Sequence, residues 1–202
     1  MRIMNQEEWH IKLNDDTFTL QQSLNQMEEF KLHQDEVPFA IQLVENPKYD
    51  IGLFAGNVDL FTHDCIHIVL GRGLLLKDEA FVIGYTMGST KRMSRLRRNM
   101  FMFCSKYLYP KEYKFGEEER FIFNLGIAAG SKSGEDLSKV DFSWLLDHKI
   151  KDIRELLGVK YCLLESCYSL EEKLYPASCE SQRLLTKSKY GKRGSSYGSS
   201  FK

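Results

Sequence analysis

Apolar residues recur every three or four positions along most of this chain, the spacing that places them on one face of an α-helix. Leu20, Leu24 and Met27 form such a stripe, and Asp16 and Thr17 before it are suitable helix caps. Glycines and prolines interrupt the pattern and separate one predicted helix from the next. The predicted helices cover residues 18–30, 35–44, 57–70, 74–87, 94–109, 117–129 and 141–157.

Strand patterns are weak by comparison. Apolar and polar residues nowhere alternate over a stretch long enough to predict a sheet, although residues 161–164 leave a short strand open. With 202 residues, of which 43% are hydrophobic, the chain can bury one sizeable core. The expected fold is therefore all-α, a single-domain helical bundle.

The end of the chain differs from the rest in composition. Residues 181–202 contain six basic residues, no acidic residue and many serines and glycines. Such a segment buries too little apolar surface to order itself. We therefore predict a helical, metal-binding domain over residues 1–180 and a basic, disordered tail over residues 181–202. This interpretation is favoured over a nucleic-acid-binding arm, and no nucleic-acid partner is expected.

Candidate chemistry is concentrated between His63 and Glu79. His63 and His67 are four residues apart, so on a helix their side chains lie within about 40° of each other and can reach one ion. Asp64 lies beside this pair and can ligate the ion or orient a histidine. A turn with two glycines follows, and it lets Glu79 return a second carboxylate from the next helix.

The predicted metal ligands are therefore His63, Asp64, His67 and Glu79, in a helix-turn-helix site. Imidazole and carboxylate ligands suit zinc, iron(II) or manganese, and they suit calcium poorly. Cys65 points about 200° away from His63 on the helix, which favours a core thiol over a ligand. The alternative is a surface helix that carries two unrelated histidines and solvated acids.

The order His-Asp, two residues, His, eleven residues, Glu is complete in this chain, from His63 to Glu79. At these residues the chain resembles the zinc-binding coenzyme Q (ubiquinone) biosynthesis proteins, which bind the inner membrane peripherally and organise the quinone-synthesis complex. Residues 40–56 and 142–159 also look similar to stretches of that family. Where the family carries arginines just before the motif, this chain has residues 58–62, VDLFT.

The resemblance implies a bound metal, zinc first, and a prenylated quinone precursor or other lipid as ligand. It implies either of two roles. One is oxidative decarboxylation of the quinone ring, a lyase activity in which Asp64 would be catalytic. The other is a scaffold for other quinone-biosynthesis proteins, with a closed, purely structural metal site. A homodimer is compatible with both roles.

Two hydrolytic classes share parts of the motif. A His-Asp metal-dependent phosphohydrolase would need a further upstream histidine and a downstream aspartate, for which His33 and Asp136 or Asp141 are the candidates. That interpretation leaves His67 and Glu79 without a role. A zinc protease is favoured less, because Asp64 would replace the longer glutamate base that must reach a metal-bound water.

No apolar run is long enough to span a membrane, and the N-terminus resembles neither a secretory signal nor a transit peptide. Five cysteines without paired spacing favour a reducing compartment. We therefore expect an intracellular protein, in the cytoplasm or peripheral on a membrane surface. Residues 94–109 are the candidate membrane contact, because arginines cluster before an apolar stripe there. The alternative is a core helix.

Overall fold

The computed structural model of the protein describes residues 9–14, 17–31, 58–90 and 114–185. Within these ranges the protein is all-α, as the apolar spacing predicts, and contains no strand. The buried apolar side chains of these ranges form one core. The α-helices are α1 (Leu20–Lys31), α2 (Leu60–Leu70), α3 (Leu76–Ser89), α4 (Glu117–Gly130), α5 (Ile150–Leu156), α6 (Tyr161–Leu174) and α7 (Cys179–Gln182). The predicted helices at residues 35–44 and 94–109 lie outside the described residues.

Helix α2 lies in the centre of the fold. Its start is capped by Asp59, whose carboxylate accepts the Thr62 backbone N–H at 2.7 Å. Its end is set by Gly71, which adopts the left-handed conformation with φ 71°. Every residue from Thr62 to Leu70 is buried, so both histidines of the motif lie inside the protein.

The C-terminal carbonyls of α2 are bound by side chains from later in the chain. Arg154 of α5 donates from Nε to the Val69 oxygen at 2.7 Å, and the Tyr168 hydroxyl of α6 donates to the Leu70 oxygen at 2.6 Å. A buried carbonyl without a donor costs about 1–3 kcal/mol. These two contacts therefore stabilise the helix end and fix it relative to α5 and α6.

Helices α3 and α4 approach each other at glycines, two on each helix with four-residue spacing. Gly84 lies against the backbone of Phe123, and Gly126 lies against the backbone of Phe81. Gly88 and Gly130 repeat the same pattern one turn later on each helix. The partner positions rise together along both chains, so the two helices run parallel. A side chain at these glycines would overlap the main chain of the other helix.

Gly126→Ala is expected to lower the free energy of unfolding by about 1–3 kcal/mol, the usual cost of overpacking. The reason is that the new Cβ would lie 2.5 Å from the Phe81 carbonyl oxygen and 2.9 Å from the Tyr85 nitrogen. Denaturant titration measures the change. Gly116→Ala is the control, because a Cβ there meets only the flexible Glu119 carboxylate. Helix propensity alone predicts that Gly126→Ala raises the free energy of unfolding. A stabilised variant would therefore contradict the close approach of α3 and α4.

The predicted helix over residues 141–157 is wrong in its first half. Residues Phe142–Leu145 form a 3₁₀ turn instead, because the Asp141 carboxylate accepts the Ser143 N–H at 3.0 Å. The carbonyls of Leu146 and His148 then accept N–H groups from the start of α1, at 2.9 and 3.0 Å. A continuous helix would use these carbonyls internally. The helix therefore starts again only at Ile150.

The spacing of the apolar residues in that segment predicts a buried stripe of Trp144, Leu145, Ile153, Leu156 and Leu157, and two of these residues lie on the surface. Trp144 is 80% exposed and Leu156 is 64% exposed, whereas Leu145, Ile153 and Leu157 are buried as predicted. Trp144 lies in the 3₁₀ turn before the break, and Leu156 lies about 100° around the helix from Leu157, away from the face that buries Ile150 and Ile153. Residues 161–164, left open as a short strand, form the first turn of α6.

The packed body continues past the predicted domain boundary at residue 180. Ser181, Arg183 and Leu184 are all buried, and Leu184 joins the hydrophobic core. The sequence composition did not show this, because two adjacent leucines and one arginine among polar residues give no periodic signal. The rest of the predicted tail, residues 186–202, lies outside the described residues. No helix of the described ranges is long and apolar enough to cross a membrane.

Candidate metal centre

His63, His67 and Glu79 converge between α2 and α3, and we call them the His-His-Glu group. Each offers a ligand atom, and these three atoms lie within 4.8 Å of one another. The Nε2 atoms of His67 and His63 lie 3.3 and 3.4 Å from the two carboxylate oxygens of Glu79. All three side chains are buried, and His67 is inaccessible to solvent. The i,i+4 spacing and the glycine turn predicted this convergence.

The backbone of the turn fixes the tautomer of His67. Its Nδ1 lies 2.7 Å from the Gly73 carbonyl oxygen, which can only accept a hydrogen bond. Nδ1 therefore carries a proton, and Nε2, which points towards Glu79, is the ring nitrogen left to bind a metal ion. A histidine that ligates a metal through one nitrogen usually donates its other N–H to a carbonyl or carboxylate in this way.

The charges in the group shift two pKa values in opposite directions. Burial lowers the pKa of His67, but Glu79, Asp64 and Asp78 together raise it by more, so it lies above its ordinary value. Burial raises the pKa of Glu79, but His67 and His63 lower it by more, so it lies well below its ordinary value. The site thus favours a carboxylate that faces a cation.

A divalent cation fits the polar atoms that the group presents. Within the described residues, the buried atoms His67 Nε2 and Glu79 Oε2 have no hydrogen-bond partner. Two imidazole lone pairs and a carboxylate are all electron-pair donors, and buried donors of this kind need a proton or a metal ion between them. The group can therefore hold a metal ion.

Asp64 is the predicted ligand that the structure leaves out of the group. It lies on α2 and is 9% exposed, and its carboxylate contributes to the raised pKa of His67. The three ligand atoms that converge come from the two histidines and Glu79. The predicted catalytic role of Asp64 thus stays a prediction, with the residue placed beside His67 rather than in the converging set.

Cys65 is fully buried on the opposite side of α2. Burial, followed by the neighbouring Asp64 charge, raises the pKa of its thiol to about 12. A thiol in this state is neutral at physiological pH and is a poor ligand, because metals bind the thiolate.

No protein-family model, curated protein or solved structure matches the chain. The residues of the site itself therefore carry the evidence for function.

Sequence reasoning missed a second set of charged residues next to the group. Arg72, Asp78, Glu171 and Arg183 are all buried, and we call them the buried charge network. Arg72 donates to both oxygens of Glu171, at 3.1 and 2.6 Å, and its Nη1 lies 3.7 Å from Asp78 Oδ1. Two cations and two anions make the network neutral overall. In the sequence, the one hint of this network is that Asp78 directly precedes the predicted ligand Glu79.

Aromatic rings enclose the cation at the centre of this network. The guanidinium carbon of Arg72 lies 4.1 Å from the Phe81 ring centroid and 4.3 Å from that of Tyr168. Cation–π contacts in such a desolvated place contribute about 2 kcal/mol or more. The network joins the turn between α2 and α3 to α6, next to the two helices that carry the His-His-Glu group.

The candidates for a phosphohydrolase site lie elsewhere. Asp136 and Asp141 each cap a 3₁₀ turn through their carboxylates, on Ser138 and Ser143. Asp141 is exposed, and neither residue belongs to the converging set. His33 lies outside the described residues.

Proposed function

We propose that the protein binds one divalent metal ion in the His-His-Glu group and acts in coenzyme Q biosynthesis. The observation that supports metal binding is the buried convergence of two imidazole nitrogens and one carboxylate from two helices. The assignment to quinone chemistry follows from the His-Asp-x-x-His-x11-Glu motif and its resemblance to the zinc-binding coenzyme Q biosynthesis proteins. The bound organic molecule would be a prenylated quinone precursor or a related lipid.

Zinc is the first metal to consider, and iron(II) and manganese are the alternatives. Imidazole nitrogen with carboxylate oxygen suits all three ions, and the same donor set suits calcium poorly. Two histidines and one carboxylate are also the ligands of nonhaem iron(II) oxygenases. The donor set alone thus limits the metal to this group of ions.

The number of ligands favours catalysis over a purely structural metal. Closed structural zinc sites have four protein ligands, whereas catalytic sites have about three and leave a position for water or substrate. Among the described residues, three side chains converge. A bound metal would supply a Lewis acid at this open position. The alternative function, a lipid-binding scaffold with a structural metal, needs a fourth protein ligand.

The proposed reaction is oxidative decarboxylation of the quinone ring. The bond between the ring and its carboxylate breaks with loss of carbon dioxide, a hydroxyl group derived from water takes its place, and the two electrons and two protons removed reduce molecular oxygen to hydrogen peroxide. Within this reaction Asp64 is the candidate proton acceptor, since it lies next to His67 but outside the converging ligands. Glu79 and the two histidines would hold the metal and orient it.

The remaining partners are proposed on the resemblance alone. They are a membrane surface, contacted peripherally, and other quinone-biosynthesis proteins; a homodimer is a further proposal. Residues 94–109, the candidate membrane contact, lie outside the described residues. Binding to anionic vesicles at low and moderate salt would test this contact through its basic cluster.

Purified protein is expected to carry about one divalent ion per chain, and the double variant His67→Ala, Glu79→Ala is expected to carry none. Since metal binding to the folded state stabilises it, chelation should also lower the melting temperature of the wild type. At a free metal concentration of about 100 times Kd, the stabilisation is about 2.7 kcal/mol. Elemental analysis and thermal unfolding with and without chelator measure both effects.

His148→Ala is the matched control for metal content, because this histidine is exposed and lies far along the chain from the motif. It should keep the full metal complement. Equal metal content in the wild type and in the double variant would contradict the proposed site. A chelator that leaves the melting temperature of the wild type unchanged would contradict it as well.

A further inference from the structure

Arg183 lies within the residues whose composition predicts a disordered tail, yet its side chain is only 9% exposed. It directly follows α7, whose buried Ser181 donates its hydroxyl to Glu171 Oε1 at 3.0 Å. Leu184 on its other side is 1% exposed. The chain is thus held before and after Arg183, and the guanidinium has a defined place in the core.

The guanidinium of Arg183 reaches both ends of the turn between α2 and α3. Its Nη2 donates to Asp78 Oδ2 in the first turn of α3. It also lies against Gly73, where a Cβ would overlap both the guanidinium and the Trp9 carbonyl oxygen. Glycine is thus the residue that allows Arg183 to approach the main chain here.

Each of these contacts leads directly to a predicted metal ligand. The Gly73 carbonyl oxygen accepts the Nδ1–H of His67 at 2.7 Å. Asp78 precedes Glu79, and its Oδ2 also accepts the Leu75 N–H at 3.1 Å, which fixes the start of α3. Contacts therefore run without interruption from the His67 ring through Arg183 to the residue beside Glu79.

We propose that Arg183 is a positioning residue of the metal centre, which sets the His67 ring against the Glu79 carboxylate by packing against Gly73 and binding Asp78. This inference rests on the proposed metal binding and assigns to the same site a residue distant from the motif. A guanidinium suits the task because its donors form a rigid planar fork, whereas a lysine presents one flexible point charge. Residues that orient metal ligands typically contribute 10- to 100-fold to metal affinity.

The test compares Arg183→Met with Lys77→Met. Lys77 is a suitable control because it also joins α3 to the C-terminal segment, through Glu180 at 3.2 Å, and in addition pairs with Glu118 at 3.0 Å. We expect the Zn²⁺ affinity of Arg183→Met to fall by about 10- to 100-fold, and that of Lys77→Met to stay close to the wild-type value. Competition with a chromophoric chelator measures affinity, and the visible spectrum of the Co²⁺-loaded protein reports ligand geometry.

Arg183→Lys is the second variant, since it keeps the charge and loses the fork. Arg183→Lys should recover part of the Zn²⁺ affinity that Arg183→Met loses. If Arg183→Met fails to fold, the comparison of Arg183→Lys with the wild type tests the proposal. Equal Zn²⁺ affinity and an unchanged Co²⁺ spectrum in the position-183 variants would overturn the proposal. So would an equal loss of affinity in Lys77→Met, because the effect would then reflect a general loosening of α3.

A metal-free measurement separates this inference from the proposed function. In the apo protein, the Nδ1 proton of His67 should give a slowly exchanging NMR signal, since it is buried and bonded to Gly73. We expect the signal to be lost in Arg183→Met and kept in Lys77→Met, and its retention in Arg183→Met would overturn the positioning role. If the wild type binds no Zn²⁺, the proposed function fails, and this signal still decides whether Arg183 sets the His67 ring.

Discussion

Replacing Glu171 by methionine is expected to lower the free energy of unfolding by about 3–5 kcal/mol, the usual cost of leaving a buried charge without its partner. Glu171 and Arg72 are both inaccessible to solvent, and they share two hydrogen bonds. Without Glu171, the Arg72 guanidinium would remain between two aromatic rings. Its nearest remaining anion would be Asp78, 3.7 Å away and already bound by Arg183.

Urea titration of Glu171→Met, Arg72→Met, the double variant of the two and one control tests this expectation. Glu165→Met, on the exposed side of α6, should leave stability nearly unchanged. The double variant Arg72→Met, Glu171→Met should be more stable than Glu171→Met alone, because both charges of the pair are then removed together. The cycle should show a coupling energy of about 2 kcal/mol or more. If the loss of unfolding free energy in the double variant equals the sum of the losses in the two single variants, the pair is not coupled.

Asp64→Asn is expected to reduce formation of the decarboxylated product by about 100-fold or more, if Asp64 accepts a proton in the proposed reaction. Asparagine removes the charge and changes the side-chain volume little. Since Asp64 lies outside the converging ligands, the variant should keep its metal and its fold. Profiling of quinone intermediates in a host that lacks its own version of the protein measures the effect.

Metal content and melting temperature of Asp64→Asn are the controls for this experiment. Accumulation of the same carboxylated precursor with Asp64→Asn and with the empty vector, despite normal folding, would count against a purely scaffolding role. Normal product formation by Asp64→Asn would contradict the catalytic role of this residue. Joint loss of metal, fold and product would instead support the scaffold with a structural metal.

The sequence determined those features that depend on neighbouring residues. Spacing of three and four residues predicted α1, α2, α3 and α4 close to their observed bounds, because helix geometry repeats at every turn whatever the rest of the chain does. The same local geometry placed His63 and His67 together. The glycine turn predicted that Glu79 would join them, since a short connection between helices leaves few ways to pack them.

The tertiary structure decided the features in which distant residues compete for the same groups. Arg72 and Glu171 are 99 positions apart, and nothing local indicates that these two charges are buried together. The carbonyls of Leu146 and His148 bind the start of α1, so the helix predicted over them is broken and Trp144 faces solvent. Arg183 looked like part of a solvated tail. Its burial depends on Asp78 and Gly73, which lie next to it only in the folded chain. The pattern of neighbouring residues predicts the helix to which a residue belongs, but it does not predict which distant residue will neutralise a buried charge.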